Sequence, residues 1–139
     1  MKNYDLERFV TPQEYDYPVA LREIKAGHKR SHWIWYIFPQ LKGLGRSHRA
    51  QVYGIEDIGE ARAYLEHEVL GARLREICGA LMQLESSDTS EVMGGYPDDL
   101  KLQSCMTLFA AISEDNSVFH RVLDKFFGGQ TDAKTLAML

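Results

Sequence analysis

The sequence is short of nearly everything that would place it outside the ordinary packed domains. Two cysteines in 139 residues cannot form a disulfide framework. Cys78 and Cys105 both sit among apolar residues at helical spacing, so they are expected as reduced, buried small hydrophobes rather than nucleophiles. Long apolar runs are absent too. The longest, Trp33 to Phe38, is far too short to span a bilayer, and the opening MKNYDLERFV lacks the apolar stretch of a signal peptide, so the expected address is the cytoplasm with no membrane partner. Neither sign of charge dominates. Sixteen Lys and Arg against twenty Asp and Glu leave a net charge of -4, which supplies no global field toward nucleic acid or anionic lipid. No low-complexity linker and no repeat of solenoid length interrupts the chain.

What is present suits a core: 45% hydrophobic and 26% charged residues, in a length for which one hydrophobic core is the usual solution. The punctuation consists of helix caps and stops rather than hairpin turns, which predicts an all-α fold, a single compact multihelical domain over residues 1–139. A first helix is expected to enter through Pro18 and end at Gly27. Asp57 and Glu60 have capping-box spacing ahead of Ile58, Ala61 and Leu65, and Leu70, Leu74, Ile77, Leu81 and Leu84 form one continuous stripe. Asp88 and Glu91 repeat the capping spacing before Gly94 and Gly95. Pro97, Asp98 and Asp99 then open a helix that buries Leu102, Met106, Phe109 and Ile112. Asp115 or Asn116 is expected to cap the next, with Phe119, Val122 and Phe126 as its stripe and Gly128 as its stop, and Thr131 or Asp132 starts a last short helix. Ser31 to Gln40 has strand propensity in its aromatic and β-branched residues, but no partner strand is visible, which favours a short buried helix.

The unusual chemistry lies between Gly27 and Ile55. Trp33, Trp35, Tyr36 and Phe38 read either as core packing or as a binding wall in which a tryptophan stacks on a flat ring. Gly43, Gly45, Arg46 and Ser47 form either a glycine-rich connector or, with Ser47 capping a helix toward Tyr53, an anion site. His28, His32 and His48 lack the carboxylate or thiolate pattern that would complete a metal site, so none is expected. His32 is the candidate general acid or base, set against a hydrogen-bonded structural histidine. Further along, Asp98, Lys101, Ser104 and Thr107 can gather a carboxylate, a cation and hydroxyls on one helix face, or simply form a solvated face. Nothing marks Ser104 as a nucleophile on a strained elbow next to a base.

These residues also carry a resemblance. Ser31 to Leu41 (SHWIWYIFPQL), Gly43 to Gly45 with Ser47, Tyr53 to Ile55, Ala63 to His67, Leu70 to Leu74, Asp99 to Leu102, Met106 to Phe109 and Leu123 to Phe127 resemble a bacterial domain-of-unknown-function family, number eighteen-ten. Glu68 stands where the family commonly has proline, and Gln103 and Cys105 flank Ser104 where serines are frequent. The resemblance implies an all-helical fold with a multihelical mycobacterial relative, and it brings no established activity or catalytic residues. The label calpastatin sometimes given to members denotes inhibitors that are disordered segments folding on their target, whereas this chain has the composition of a packed domain.

The residues themselves favour a small-molecule-binding enzyme for a nucleotide or ADP-ribose-like ligand, with N-glycosidic hydrolysis as the reaction. In this reading His32 and Asp99 handle the proton, and Lys29, Trp33, Trp35, Gln40, Arg46, Ser47, Lys101 and Ser104 bind the ligand. No cofactor or protein partner is specified. The alternative is a non-catalytic interaction module using the HWIWYIFPQ segment as its hot spot. Convergence of His32, Lys101 and Asp99 in one pocket distinguishes the first from the second.

Overall fold

Phe9, Gln13, Tyr17, Ala20 and Ile24 recur at helical spacing and are all buried, and they draw the first nineteen-residue helix, α1 (Glu7–Lys25), against the rest of the chain. The computed structural model describes residues 3–139. Helix α1 starts well before the Pro18 entry expected from the sequence, because Pro12 and Pro18 both lie inside it. Each proline removes one N–H, but both sit off the buried stripe.

Eight further helices follow among the described residues: α2 (Ile34–Ile37), α3 (His48–Val52), α4 (Ile58–Glu66), α5 (Leu70–Met82), α6 (Thr89–Met93), α7 (Asp98–Ala111), α8 (Val118–Phe127) and α9 (Ala133–Met138). The fold is all-helical. Its core is one continuous apolar cluster. Helix α5 is the central post, packed on α1, α4 and α8, while α7 packs on α6, α8 and α9. Of the stripe expected from spacing, Leu70, Leu74, Ile77 and Leu81 are fully buried in α5, whereas Leu84 lies beyond the end of the helix and is half-buried.

Helix α7 departs from a one-sided pattern. Leu102 and every residue from Ser104 to Ala110 are buried, so the solvated face expected around Ser104 and Thr107 does not exist. The hydroxyls find partners instead. Ser104 Oγ donates to Asp132 Oδ2 at 2.8 Å, and Thr107 Oγ1 accepts from Asp132 N at 2.9 Å, which docks the start of α9 onto α7. The cap of α8 also shifts by a residue or two from expectation: Ser117, not Asp115 or Asn116, accepts the His120 N–H.

Two clamps position the aromatic segment. Arg8 on α1 reaches across to the α3–α4 connection, donating to Val52 O at 2.9 Å and Gly54 O at 2.8 Å and pairing with both Glu60 oxygens at 2.8 Å. Asp57 caps α4 by accepting from Glu60 N, yet the Glu60 carboxylate accepts from Arg8 and from Glu56 N rather than closing the box on Asp57. The second clamp is an isolated parallel bridge, Leu41 to Ile55, with Lys42 N donating to Ile55 O at 2.8 Å and Ile55 N to Gln40 O at 2.9 Å. A Cβ at Gly54 would meet Lys42 Cα at 2.5 Å, so only glycine lets the two segments approach this closely. The segment after α2 and the segment after α3 are thereby held side by side.

Candidate functional site

Glu23 on α1 fixes the loop that leads into α2. Its Oε1 accepts from Arg30 N at 2.9 Å, Ser31 N at 3.0 Å and Trp33 Nε1 at 2.9 Å, and its Oε2 from Ser31 Oγ at 2.6 Å. Burial works against ionisation, but these donors, the Ser31 hydroxyl foremost, outweigh it and hold the carboxyl at about 2. Trp33 is consequently sealed: its ring is 0% exposed and its N–H is spent on Glu23. Lys29 is spent as well. Its backbone N–H bonds to Val92 O at 2.7 Å, and its ammonium lies 4.8 Å from the Trp33 ring centroid, 2.8 Å from Asp98 Oδ2 and 2.5 Å from Ser31 O. Both residues, expected to contact a ligand, hold the loop instead: Trp33 joins it to α1 and Lys29 joins it to α6 and α7.

Trp35, two residues on, is different. Helical geometry turns it away from Trp33, and its ring is partly exposed, with two cations close to it. The Arg49 guanidinium carbon lies 4.8 Å from the ring centroid and Lys101 Nζ 5.1 Å, so the two positive centres are no more than about 10 Å apart. Lys101 shares Asp98 with Lys29, at 3.8 Å, whereas Arg49 forms no ion pair among the described residues. Trp35 Nε1 is shut off from solvent and makes no hydrogen bond to the protein. Beside the ring runs a cleft of about 10 Å³ lined by Ile34, Phe38, Ala50, Gln40, Tyr53 and Lys101 as well as Trp35. That is room for one water-sized group, not a nucleobase.

The structure thus brings together Trp35, Gln40 and Lys101 of the residues singled out in the sequence, and it adds Arg49 and Tyr53. The others lie apart. His32 is exposed and makes no hydrogen bond among the described residues. Asp99 accepts from Leu100 N at 2.8 Å and Ser90 Oγ at 3.5 Å, and no hydrogen bond or ion pair joins it to His32. Arg46 and Ser47 are exposed, and the Ser47 hydroxyl is used to accept Ala50 N at the start of α3. Ser104 is committed to Asp132. Arg49 carried no signal in the sequence, because its contact with Trp35 depends on the turn that folds α3 back over α2.

Elsewhere, a broad open groove of about 1090 Å³ includes Arg62, Arg75 and Arg121 in its lining, but Glu66, Glu114 and Asp115 line it too, so its charge selects no ligand. It shares no residue with the Trp35 cleft. Among the described residues no group of three or more His, Cys, Asp or Glu is arranged to hold a metal ion. Both cysteines are buried and free, and burial pushes their thiols upward, away from nucleophilic thiolate. Among the described residues no helix is long and apolar enough to cross a membrane.

Comparison with known proteins places this geometry in a lineage. The crystal structure of the conserved hypothetical protein Rv1873 from Mycobacterium tuberculosis is similar to this chain, with a TM-score of 0.94 and 47% sequence identity over 98% of this chain and 96% of that one. No curated protein matches. The family described as "Protein of unknown function (DUF1810)" matches residues 3–139. With that match running through every described helix, the chain belongs to the DUF1810 family.

Proposed function

We propose that the protein binds a small phosphate-bearing ligand of nucleotide type against the exposed side of Trp35, with Arg49 and Lys101 meeting the phosphates. The observation that carries this reading is the placing of two cations over one partly exposed indole, one of them without a carboxylate partner among the described residues. Such cations lose part of their hydration against the ring, and an anion lying between them gains charge-assisted hydrogen bonds from both. The ligand's ring system lies on the open surface, since the cleft cannot admit it. Turnover is a separate matter. N-glycosidic hydrolysis needs an acid held at the scissile bond, and no hydrogen bond holds His32 or Asp99 toward Trp35. The reading is therefore one of binding.

Tryptophan fluorescence and thermal shift with ADP, ADP-ribose, pyrophosphate and adenosine test it. The phosphate-bearing ligands produce saturable changes and adenosine a much weaker one. Arg49→Ala and Lys101→Ala each weaken pyrophosphate by roughly tenfold or more, the scale of a hydrogen bond to a charged group. His32→Ala leaves binding unchanged. Silence across the panel, or pyrophosphate affinity untouched by both cation variants, overturns the proposal. It would favour the alternative of a protein-interaction surface, for which Tyr96 and Leu100, 81% and 49% exposed around the start of α7, supply apolar anchors.

A further inference from the structure

We infer that the cleft beside Trp35 is a socket for a single oxygen of an oxoanion, a phosphoryl or carboxylate oxygen that accepts the hydrogen bond of Trp35 Nε1. The inference rests on the reading of the Trp35 rim as an anion site and narrows it to the atom that enters. Two indoles lie two residues apart and both have N–H groups removed from solvent. Trp33 Nε1 donates to the Glu23 carboxylate at 2.9 Å, whereas Trp35 Nε1 meets no acceptor of the protein. A buried donor of this kind calls for a partner. The fold itself shows what satisfies its twin: a carboxylate oxygen.

The lining sets the chemistry of that partner. Indole N–H and lysine ammonium are donors only, and the Gln40 amide and Tyr53 hydroxyl, which make no side-chain hydrogen bond among the described residues, can add further donors. Ile34, Phe38 and Ala50 contribute no acceptor from their side chains. Gln40 and Tyr53 can also accept, but an oxygen bearing negative charge can take hydrogen bonds from all four groups, and the Lys101 ammonium favours it over a neutral oxygen. The volume, about 10 Å³, admits one such atom and excludes a ring. With that oxygen seated, the remaining oxygens of the same phosphate or carboxylate stay outside the cleft, near Lys101, which lines it, while Arg49 lies 4.8 Å from the same ring. Asp98 does not close the site, because it is engaged by Lys29 at 2.8 Å and Lys101 at 3.8 Å.

The test is a proton–nitrogen correlation spectrum of the full ¹⁵N-labelled chain, in which two indole signals are expected and Trp35→Phe identifies the one it deletes. Titration with pyrophosphate moves the Trp35 indole proton downfield and saturably, with the midpoint given by fluorescence, while the Trp33 indole, held by Glu23, stays in place. Inorganic phosphate and acetate, run separately, tell a phosphoryl from a carboxylate occupant; chloride at matched ionic strength leaves both signals unmoved. Trp35→Phe, checked for native helicity, keeps an aromatic floor but loses about tenfold in pyrophosphate affinity. An unmoved Trp35 indole alongside a thermal shift that still depends on Arg49 overturns the socket and leaves the rim reading standing. No response by any measure overturns both. Indoles that move together, or a chloride effect equal to that of pyrophosphate, overturn the socket as well, since the cleft would then hold only water or a nonspecific ion.

Discussion

Four hydrogen bonds converge on the carboxylate of Glu23, and they tie α1 to the loop whose last residues present Trp33 to the core and Trp35 to the surface. The charge of this group is therefore coupled to folding. Its carboxyl lies at about 2 in the folded chain against 4.5 for an ordinary glutamate: burial alone would raise it, but the bonds from Ser31, Arg30 and Trp33 prevail. A depressed folded pKa means that the stabilisation is fully present above about 4.5 and is lost as pH falls toward about 2. Glu23→Gln keeps the shape and discards the charge, so it is expected to cost roughly 1–3 kcal/mol at neutral pH, the scale of hydrogen bonds to an ionised acceptor. Urea melts across that acid range should show a shallower loss of stability in the variant than in the parent. Parallel pH profiles would mean that the carboxylate is not held as the structure shows.

Among the elements, α5 offers the sharpest comparison of neighbouring positions. Leu74 and Leu81 are 1% and 0% exposed at the centre of the core, so truncating either to alanine should cost about 2–5 kcal/mol in urea melts. A loss below about 1 kcal/mol at both would contradict their burial. The helix also holds two glycines with opposite expectations. A Cβ at Gly71 would lie 2.0 Å from the Leu65 carbonyl oxygen, so Gly71→Ala forces backbone apart and should be destabilising by roughly 1–3 kcal/mol. Gly79 has nothing within 4 Å of that position, and Gly79→Ala should stabilise the helix by about 0.4–1 kcal/mol. Equal effects at the two sites would refute the packing of α4 against α5. The stripe of α5, the Asp57, Ser47 and Asp88 caps and the Gly94 and Gly128 stops were readable from sequence because each is set by residues within a turn of one another. The first half of α1 was not, since Pro12 and Pro18 look like boundaries until tertiary burial of Phe9, Gln13 and Tyr17 shows that the helix runs through them. Helix α7 hid its buried hydroxyls for a related reason: their partner, Asp132, is contributed by the chain's far end.

For the molecule as a whole, the same division separates what could be read of the site from what could not. The aromatic density of HWIWYIFPQ marked the segment, but which indole is core and which is surface depended on Glu23, and Arg49 entered only through the fold. Whole-molecule electrostatics sharpen the last prediction. A chain of net charge -4 repels an anion at long range, so any affinity for pyrophosphate must come from the local pair Arg49 and Lys101. A ligand that binds only the folded chain stabilises it by mass action, about 2.7 kcal/mol at about 100 times its Kd, which for a chain of this size is a rise in Tm on the order of 10 °C. Multivalent anions also stabilise proteins by exclusion from their surfaces, without any site. The two effects separate in the double variant Arg49→Ala and Lys101→Ala: site binding saturates with concentration in the parent and disappears in the variant, whereas exclusion grows steadily and is the same in both. Sulfate at matched ionic strength supplies the exclusion baseline. If parent and double variant gain the same Tm at every pyrophosphate concentration, the cations over Trp35 are surface decoration, and the anion site does not exist.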